Sequence, residues 1–544
     1  MKEVVVKALN SAGVRNTDLI EVPKDISKGD YSFPCFSLAK EMKKNPALIA
    51  KDISSKIKSE EFEKVEAVGG YVNFFIDRKY FAERVISGIG RGYKRNTDRV
   101  IVEYSQPNTH KAFHVGHVRG TSFGESLARI FEFTGSRVIR ANYSGDTGKH
   151  VAKWLWCYNK FHAKERLKKE EKWFADIYVE AVQKLEGNDE YEKEVEEINR
   201  KLDSGDDKVL NALWKKTRDL SAAAWKEIYE DLGVKFDVQY FESGVEKEGK
   251  EMAKELVRKK IAEISQGATI MNLEKEGLGI WVLLRKDGTV LYSAKDIALA
   301  KKKFEDYKFD KSVIVTDSAQ NLHFRQLIKT LELMKFDRWK DYNHLSYNQV
   351  RFPWGKMSSR TGENVLYSDL REEIFGYAKD EIVKREGRVK DLDKRALAIA
   401  IGAVKYWVLK QDKNKVIIFD PRKAIQFEGD TGPYILYSYA RSKSILSKAG
   451  KNKLVIDSVS DVERKLLIEI SRFNEIVDNA RNNMDPSVVA NYSYELARVF
   501  SEFYHDSQVI GSEEEGFRVE LVRAFSVVME DCLNLLGIPI VSRM

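Results

Sequence analysis

Apolar positions in the first fourteen residues fall at helical spacing but are broken by charges, which predicts an amphipathic helix rather than a leader peptide. Helical patterns follow at Phe36–Lys40 and Leu48–Ile53. A strand-like run, Tyr71–Ile76, comes after the turn pair Gly69 and Gly70. Val100–Tyr104 reads as a short strand. A turn carrying Pro107 and Asn108 then leads into a helix that begins near His114 and runs through Phe131. Val138–Tyr143 is a further strand. Strand, helix and strand at this spacing make a βαβ unit, which implies a parallel sheet.

Residues 150–232 interrupt that pattern with charged helical sequence, as in 189–202, and read as an insertion between two halves of an α/β domain. The sheet pattern returns at Phe236–Tyr240. A hairpin is expected where Trp281–Leu284 and Thr289–Tyr292 flank Asp287-Gly288. Ser312–Val315 is another strand. Beyond about 395, strands largely vanish and long amphipathic patterns dominate. A multidomain α/β protein is therefore expected. Residues 1–92 would form a small N-terminal α+β domain, 93–394 a parallel-sheet domain with a helical insertion, and 395–544 an all-α helical bundle. A chain of 544 residues exceeds what one hydrophobic core usually spans, which agrees with several domains.

Composition adds limits. Hydrophobic residues at 43% and aromatic residues at 11% fit a folded protein. Lys plus Arg number 92 and Asp plus Glu 84, so the net charge of +8 permits a polyanionic partner without requiring one. The three cysteines, Cys35, Cys157 and Cys532, are far apart and odd in number. They make neither a disulfide framework nor a metal-ligand spacing, so a reducing compartment and no dedicated metal site are expected. No apolar run approaches the ~18 residues that span a membrane, and a cytoplasmic location is expected.

Candidate chemistry is concentrated in two segments. His114 and His117 share one face at the first turn of a helix. The positive N-terminal end of a helix, with its free N–H groups, suits phosphate. Gly116 between them would let a flat adenine ring approach the backbone, and the imidazoles could bond phosphate oxygens as pyrophosphate leaves. Taken alone, the pair reads first as two histidines on an amphipathic helix; zinc lacks further ligands at a suitable spacing. In the second segment, Lys356, Met357, Ser358, Ser359, Arg360, Thr361 and Gly362 could wrap a triphosphate. Lys356 and Arg360 would offset charge on departing pyrophosphate. Alone this is a basic loop. No GxxxxGK[ST] segment supports a P-loop.

Together and in this order, His114-Val115-Gly116-His117 and Lys356–Ser359 resemble the HIGH and KMSKS signatures of class I aminoacyl-tRNA synthetases. The resemblance implies a Rossmann-type catalytic domain that joins an amino acid to AMP, using ATP with magnesium, and passes it to tRNA. Ser359 departs from the motif, standing where its second lysine is usual. Many arginyl-tRNA synthetases lack that lysine and carry one just upstream of HIGH, where this chain has Lys111. The stretches SQPNTHKAFHVGH, YFESG, LYSAKD, DSAQNLHF and QFEGDTGPYILYSYAR (426–441) are similar to that family, as is most of the chain. The family implies L-arginine, ATP and tRNA(Arg) as partners, and a monomer.

A pocket for arginine must meet a planar cation with five donors, using carboxylates in fork geometry, a hydroxyl and a neutral amide. Glu242 ends a strand, Tyr292 and Asp296 share a face at a helix start, and Gln320 follows the strand 312–315. Asn108 sits before His114, placed for the α-amino or carboxylate group. Each has an ordinary alternative as a solvated acid, a half-buried aromatic or a turn residue. For RNA, the helical bundle offers Lys405, Tyr406, Trp407, Tyr434, Tyr437, Tyr439 and Arg441, with core packing as the competing role. Tyr71 and Asn73 lie in GGYVNFF, which resembles the small domain that contacts the tRNA elbow. Lys301–Lys303 reads as a solvated helix face. Synthetases for cysteine or glutamine are disfavoured by the missing zinc-ligand cysteines and by QFEGDTGPY. A non-catalytic RNA-binding relative would be expected to lose catalytic groups, whereas Lys111, His114, His117 and Lys356 are all present.

Overall fold

The computed structural model describes residues 2–23, 25–90, 96–353, 365–387, 389–450 and 453–543. The chain begins with α1 (Lys2–Ser11), β1 (Tyr31–Pro34), α2 (Phe36–Met42), α3 (Pro46–Lys56), β2 (Phe62–Val68), β3 (Tyr71–Ile76) and α4 (Arg78–Gly88). β3 is the middle strand, antiparallel to both neighbours in the order β1-β3-β2. Its Val72, Phe74 and Ile76 alternate into the core. Asn45 and Asp77 cap α3 and α4 by accepting first-turn backbone N–H groups.

β4 (Arg99–Glu103), α5 (Val115–Phe133) and β5 (Arg137–Ser144) form the βαβ unit. Between β5 and β6 (Val238–Phe241) lie α6 (Lys149–Cys157), a π turn (Tyr158–His162), α7 (Glu171–Leu185), α8 (Asp189–Ser204) and α9 (Lys208–Asp231). These helices have their own core, which includes Trp154, Trp173, Phe174 and Val195. There follow α10 (Glu246–Arg258), β7 (Glu263–Ser265), β8 (Ala268–Leu273), β9 (Gly279–Leu284), α11 (Tyr292–Asp306), β10 (Lys311–Asp317), α12 (Asn321–Leu333), β11 (Tyr342–Tyr347) and β12 (Val350–Arg351). The main sheet has the order β11-β10-β4-β5-β6 and every pairing is parallel. Val100, Ile101 and Val102 of β4 are wholly buried, as a strand covered on both faces requires. The direction of winding reverses between β4 and β10. Ligand crevices of such sheets open beyond the strand carboxyl ends at that switch point.

Two expectations need correction. The hairpin across Asp287-Gly288 is shorter than expected, and β9 pairs mainly with β8. Leu284 and Val290 form an antiparallel bridge, with the Arg285 N–H on the Thr289 carbonyl and the Leu291 N–H on the Leu283 carbonyl, both at 3.0 Å; Tyr292 instead opens α11, because Ala294, Ile297 and Ala298 bury at helical rather than alternating spacing. The run Lys301–Lys303 is not a uniformly solvated face. Lys301 and Lys302 pair with Glu305 and Asp306 one turn on, but Lys303 is fully buried. Its Nζ lies 2.7 Å from Glu103 Oε2 and 3.1 Å from the Tyr342 hydroxyl. Successive helix positions point ~100° apart, and the third faces the sheet.

The remaining elements are α13 (Tyr367–Glu386), α14 (Leu392–Leu409), β13 (Ile417–Ile418, parallel to β12), α15 (Pro421–Ala424), α16 (Gly432–Lys448), α17 (Asp461–Ser471), α18 (Phe473–Asn483), α19 (Ser487–Asp506) and α20 (Glu515–Leu535). The chain forms two compact units: residues 1–91, 441–473 and 496–529, and residues 92–440, 474–495 and 530–544. Within the first, Arg464 pairs with Asp30 at 2.5 Å and Arg78 with Asp461 at 2.9 Å, fastening α17 to the N-terminal sheet domain. Within the second, Lys405 is wholly buried and donates to the Leu232 carbonyl at 2.7 Å. The buried Tyr406 and Tyr439 hydroxyls bond Asp430 and Glu530. Lys405, Tyr406 and Tyr439 are therefore core groups rather than RNA-facing ones. No described helix is long and apolar enough to cross a membrane.

Candidate active site

The loop from β4 into α5 is strained and firmly held. Ser105, Gln106 and His110 take φ values of +79°, +51° and +61°. Such non-glycine conformations cost on the order of 1–3 kcal/mol each and persist where surroundings fix them. Here the Gln106 N–H bonds Asn142 Oδ1 at 3.0 Å and the Thr109 N–H bonds the Gly145 carbonyl at 2.9 Å. The His110 N–H bonds Ser221 Oγ at 3.0 Å, and His110 Nε2 lies 2.8 Å from Thr217 Oγ1. Burial pulls His110 down to about 3, so this imidazole is neutral and structural.

His114 is the N-cap of α5. Its Nδ1 accepts the Gly116 N–H at 3.1 Å, and His117 Nδ1 accepts the His114 N–H at 3.2 Å. The two rings stack with centroids 3.9 Å apart. A ring nitrogen that accepts a backbone N–H carries no proton, so each neutral ring holds its proton on Nε2. Burial, and then the charge of Lys111, lowers His114 to about 4. Burial, His114 and Lys111 hold His117 well below its ordinary value. The helix N-terminus thus presents two neutral Nε2–H donors. Lys111 Nζ lies over the Tyr178 ring at 5.2 Å. Burial, and then Lys153, lowers its pKa. Among the described residues no carboxylate lies within 4.0 Å of that ammonium. Asn108, Lys111, His114 and His117 line one cleft of about 390 Å³.

The cluster proposed for arginine lies next to this cleft. A Cβ on Gly145 would sit 2.3 Å from Asn108 Oδ1 and 3.1 Å from Glu242 Oε1, so only glycine lets these side chains approach each other here. Burial raises the Glu242 carboxyl. The ammonium of Lys295 opposes that rise, while Asp296 and Asp146 add to it. Lys295 Nζ lies 3.1 Å from Glu242, 3.0 Å from Glu246 and 2.7 Å from Thr147 Oγ1. Asp146 fixes the turn at Glu242 by accepting the Ser243 N–H at 2.9 Å and its hydroxyl at 2.6 Å. Asp296 Oδ2 meets His323 Nε2 at 2.5 Å, and the Tyr292 ring stands 4.8 Å from His323. The buried Tyr143 phenol is pushed up by burial and by the Asp296 and Glu242 carboxylates. More negative than positive charge is gathered here, which suits an incoming cation. Gln320 is exposed at the start of α12, three residues from His323, and hydrogen-bonds no described side chain. Sequence reasoning missed Asp146, Lys295 and His323. Lys295 and His323 lie inside the quoted stretches LYSAKD and DSAQNLHF, the available signal.

Lys356, Met357, Ser358, Ser359 and Arg360 lie outside the described residues. Both flanks of that segment are tied to α5. The buried Arg119 guanidinium donates to the carbonyls of Asn348 and, at 3.2 Å, Lys415. Leu366 bridges to His114, and the Tyr367 N–H bonds the Phe113 carbonyl at 2.9 Å. From α7, Glu171 accepts the Phe113 N–H at 3.0 Å, and burial pushes its carboxyl up to about 7. In the N-terminal domain, Tyr71 is half-buried against Phe36 at 5.2 Å, whereas Asn73 is buried with its Oδ1 taken by the Ser32 hydroxyl at 2.8 Å.

Paired neutral imidazoles thus stand at a helix N-terminus at the switch point of this parallel sheet, and the chain is a class I aminoacyl-tRNA synthetase. Residues 86–420 match the family described as "tRNA synthetases class I (R), catalytic domain". Residues 1–76 match "Arginyl tRNA synthetase N terminal domain" and 435–544 match "DALR anticodon binding domain". The chain belongs to the arginyl-tRNA synthetase family. The arginine–tRNA ligase of Clostridium perfringens is 36% identical over 542 residues, covering 97% of this chain and 96% of that protein. The ligase of Clostridium acetobutylicum is 34% identical over 561 residues and 100% of both chains. The solved Thermus thermophilus arginyl-tRNA synthetase superposes with a TM-score of 0.81 and 26% identity, over 100% of this chain and 99% of that one.

Proposed function

We propose the following roles for the residues of this site. The chain is an arginine–tRNA ligase, which joins L-arginine to ATP as arginyl-adenylate and then transfers arginine to the 3′ end of tRNA(Arg). ATP enters as its magnesium complex. Its phosphates meet the Nε2–H groups of His114 and His117, and its adenine lies against the backbone at Gly116. The arginine carboxylate attacks the α-phosphorus in line, the bond to the bridging oxygen breaks, and pyrophosphate takes the electron pair. Lys111 stabilises that developing charge in place of the lysine absent at Ser359, together with Lys356 and Arg360. Met357 and Ser358 complete the ATP loop.

Glu242 and Asp296 take the guanidinium, Tyr292 and Gln320 supply a hydroxyl and an amide, and Asn108 holds the α-amino or carboxylate group. With domain boundaries near 92 and 394 and the insertion at about 150–232, the two flanking domains contact the tRNA, a reading supported by the match of residues 435–544 to an anticodon binding domain. Tyr71 is the elbow contact; the burial of Asn73 favours a supporting role for that residue. The enzyme acts as a cytoplasmic monomer. The observation that carries this reading is that both Nδ1 atoms are occupied by backbone donors, which leaves two preset Nε2–H groups beside Lys111. Arginine-dependent ATP–pyrophosphate exchange tests it.

A further inference from the structure

We propose that Cys157, His162 and Glu180 form a binding site for a thiophilic divalent cation, zinc by preference, within the helical insertion. The inference is independent of the reaction assigned above. Cys157 ends α6, His162 ends the π turn and Glu180 lies on α7. One ligand atom from each, a sulfur, a ring nitrogen and a carboxylate oxygen, lies within 4.8 Å of the other two. The π turn is what aligns the first pair. On an α-helix, residues five apart are separated by about 140° around the axis, whereas an i→i+5 turn brings them nearly into line.

The histidine is already oriented as a ligand. Its Nδ1 lies 2.6 Å from Glu165 Oε1. Glu165 is itself held by the Trp173 indole N–H at 3.2 Å and, through its carbonyl, by the Tyr158 hydroxyl at 2.9 Å. A carboxylate on the far ring nitrogen is the usual support for a metal-bound imidazole, and it leaves Nε2 for the cation. Nε2 faces Glu180 Oε2 at 2.8 Å. The Cys157 sulfur is fully buried and accepts or donates no hydrogen bond among the described residues. Lys184 holds the second Glu180 oxygen at 3.4 Å. With the thiol proton and the His162 Nε2 proton held by Glu180 both released to solvent on binding, the thiolate and two carboxylates outweigh Lys184 by two charges, which a divalent cation offsets. Tetrahedral zinc–ligand lengths of ~2.0–2.3 Å require the 2.8 Å contact between His162 and Glu180 to open slightly while the sulfur stays within reach, with water in the fourth position. The cation would pin α6 to α7, and α7 carries Lys172, Asp176 and Tyr178 into the cleft lined by Lys111, His114 and His117.

The test is titration of the chelator-stripped, full-length protein with Co2+ alone, without ATP or magnesium. One equivalent should bind with an intense near-ultraviolet sulfur-to-cobalt charge-transfer band, and Zn2+ should displace it. Cys157→Ala should abolish the band, whereas Cys35→Ala and Cys532→Ala should keep it. Because Cys157 is buried, Glu180→Gln and Glu165→Gln at partly exposed positions provide variants that fold; each should weaken binding by at least tenfold. Folded wild-type protein without the charge-transfer band, or a band whose affinity is unchanged in His162→Gln and Glu180→Gln, would overturn the proposal.

Discussion

Replacing Lys111 by alanine should slow arginine activation by one to two orders of magnitude while leaving the fold intact. Its ammonium is largely buried, stands over the Tyr178 ring and has no carboxylate within 4.0 Å among the described residues. A phosphate oxygen reaching it gains a charge-assisted hydrogen bond worth ~1.5–3 kcal/mol. Because charge builds on pyrophosphate as it leaves, that term acts mainly in the transition state, and ~10–150-fold in kcat/KM for ATP is expected. Stability should move the other way. The folded-state pKa of Lys111 is depressed, so its charged form destabilises the fold at every pH below that value, an effect that fades only as the pH approaches 10.5. At neutral pH the length-preserving Lys111→Met should therefore unfold at the same or a higher temperature than wild type. ATP–pyrophosphate exchange at saturating arginine and tRNA(Arg), run beside thermal unfolding, measures both. Exchange within threefold of wild type, or a loss of stability that accounts for the lost activity, would refute the role given to Lys111.

Three further outcomes are expected. Citrulline, which lacks the guanidinium charge, should leave Glu242 and Asp296 without their cation at a cost of ~3–5 kcal/mol and be activated at least a hundredfold less efficiently than arginine; equal activation contradicts the pocket. Glu171 has a raised carboxyl, so its stabilising proton is fully held below about 4.5 and lost as the pH rises through about 7, a total near ~3 kcal/mol. The permanently neutral Glu171→Gln should gain on wild type in urea midpoint as the pH goes from 5 to 8, and a pH-independent difference would argue against that assignment. Lys303→Met strands the buried Glu103 carboxylate and should cost ~3–5 kcal/mol in urea unfolding, of which Lys303→Met with Glu103→Gln should recover at least half.

The elements that read clearly from the sequence are those whose burial is local. β4 is an apolar run covered on both faces, and α5 starts where a capping arrangement closes on His114. What stayed hidden depends on partners far along the chain. Lys303 looks like a surface cation until Glu103, some 200 residues earlier, is brought against it. Lys405 becomes a core group through the Leu232 carbonyl, 173 residues away. The hairpin expected at 281–292 forms only as a short one around the Leu284–Val290 bridge, because a helix claims Tyr292. In the site, Asn108, Lys111, His114 and His117 are close in sequence and meet in one cleft, so their grouping was legible. Asp146, Lys295 and His323 act by holding or balancing other side chains, which spacing alone does not reveal.

The most direct test of the arginine–tRNA ligase site is ATP–pyrophosphate exchange with each of the twenty amino acids in turn, with and without tRNA(Arg). Exchange with arginine alone, requiring the tRNA and lost in His114→Ala and His117→Ala, is the expected result. Exchange driven by a different amino acid, or arginine-dependent exchange that survives removal of both imidazoles, would contradict it.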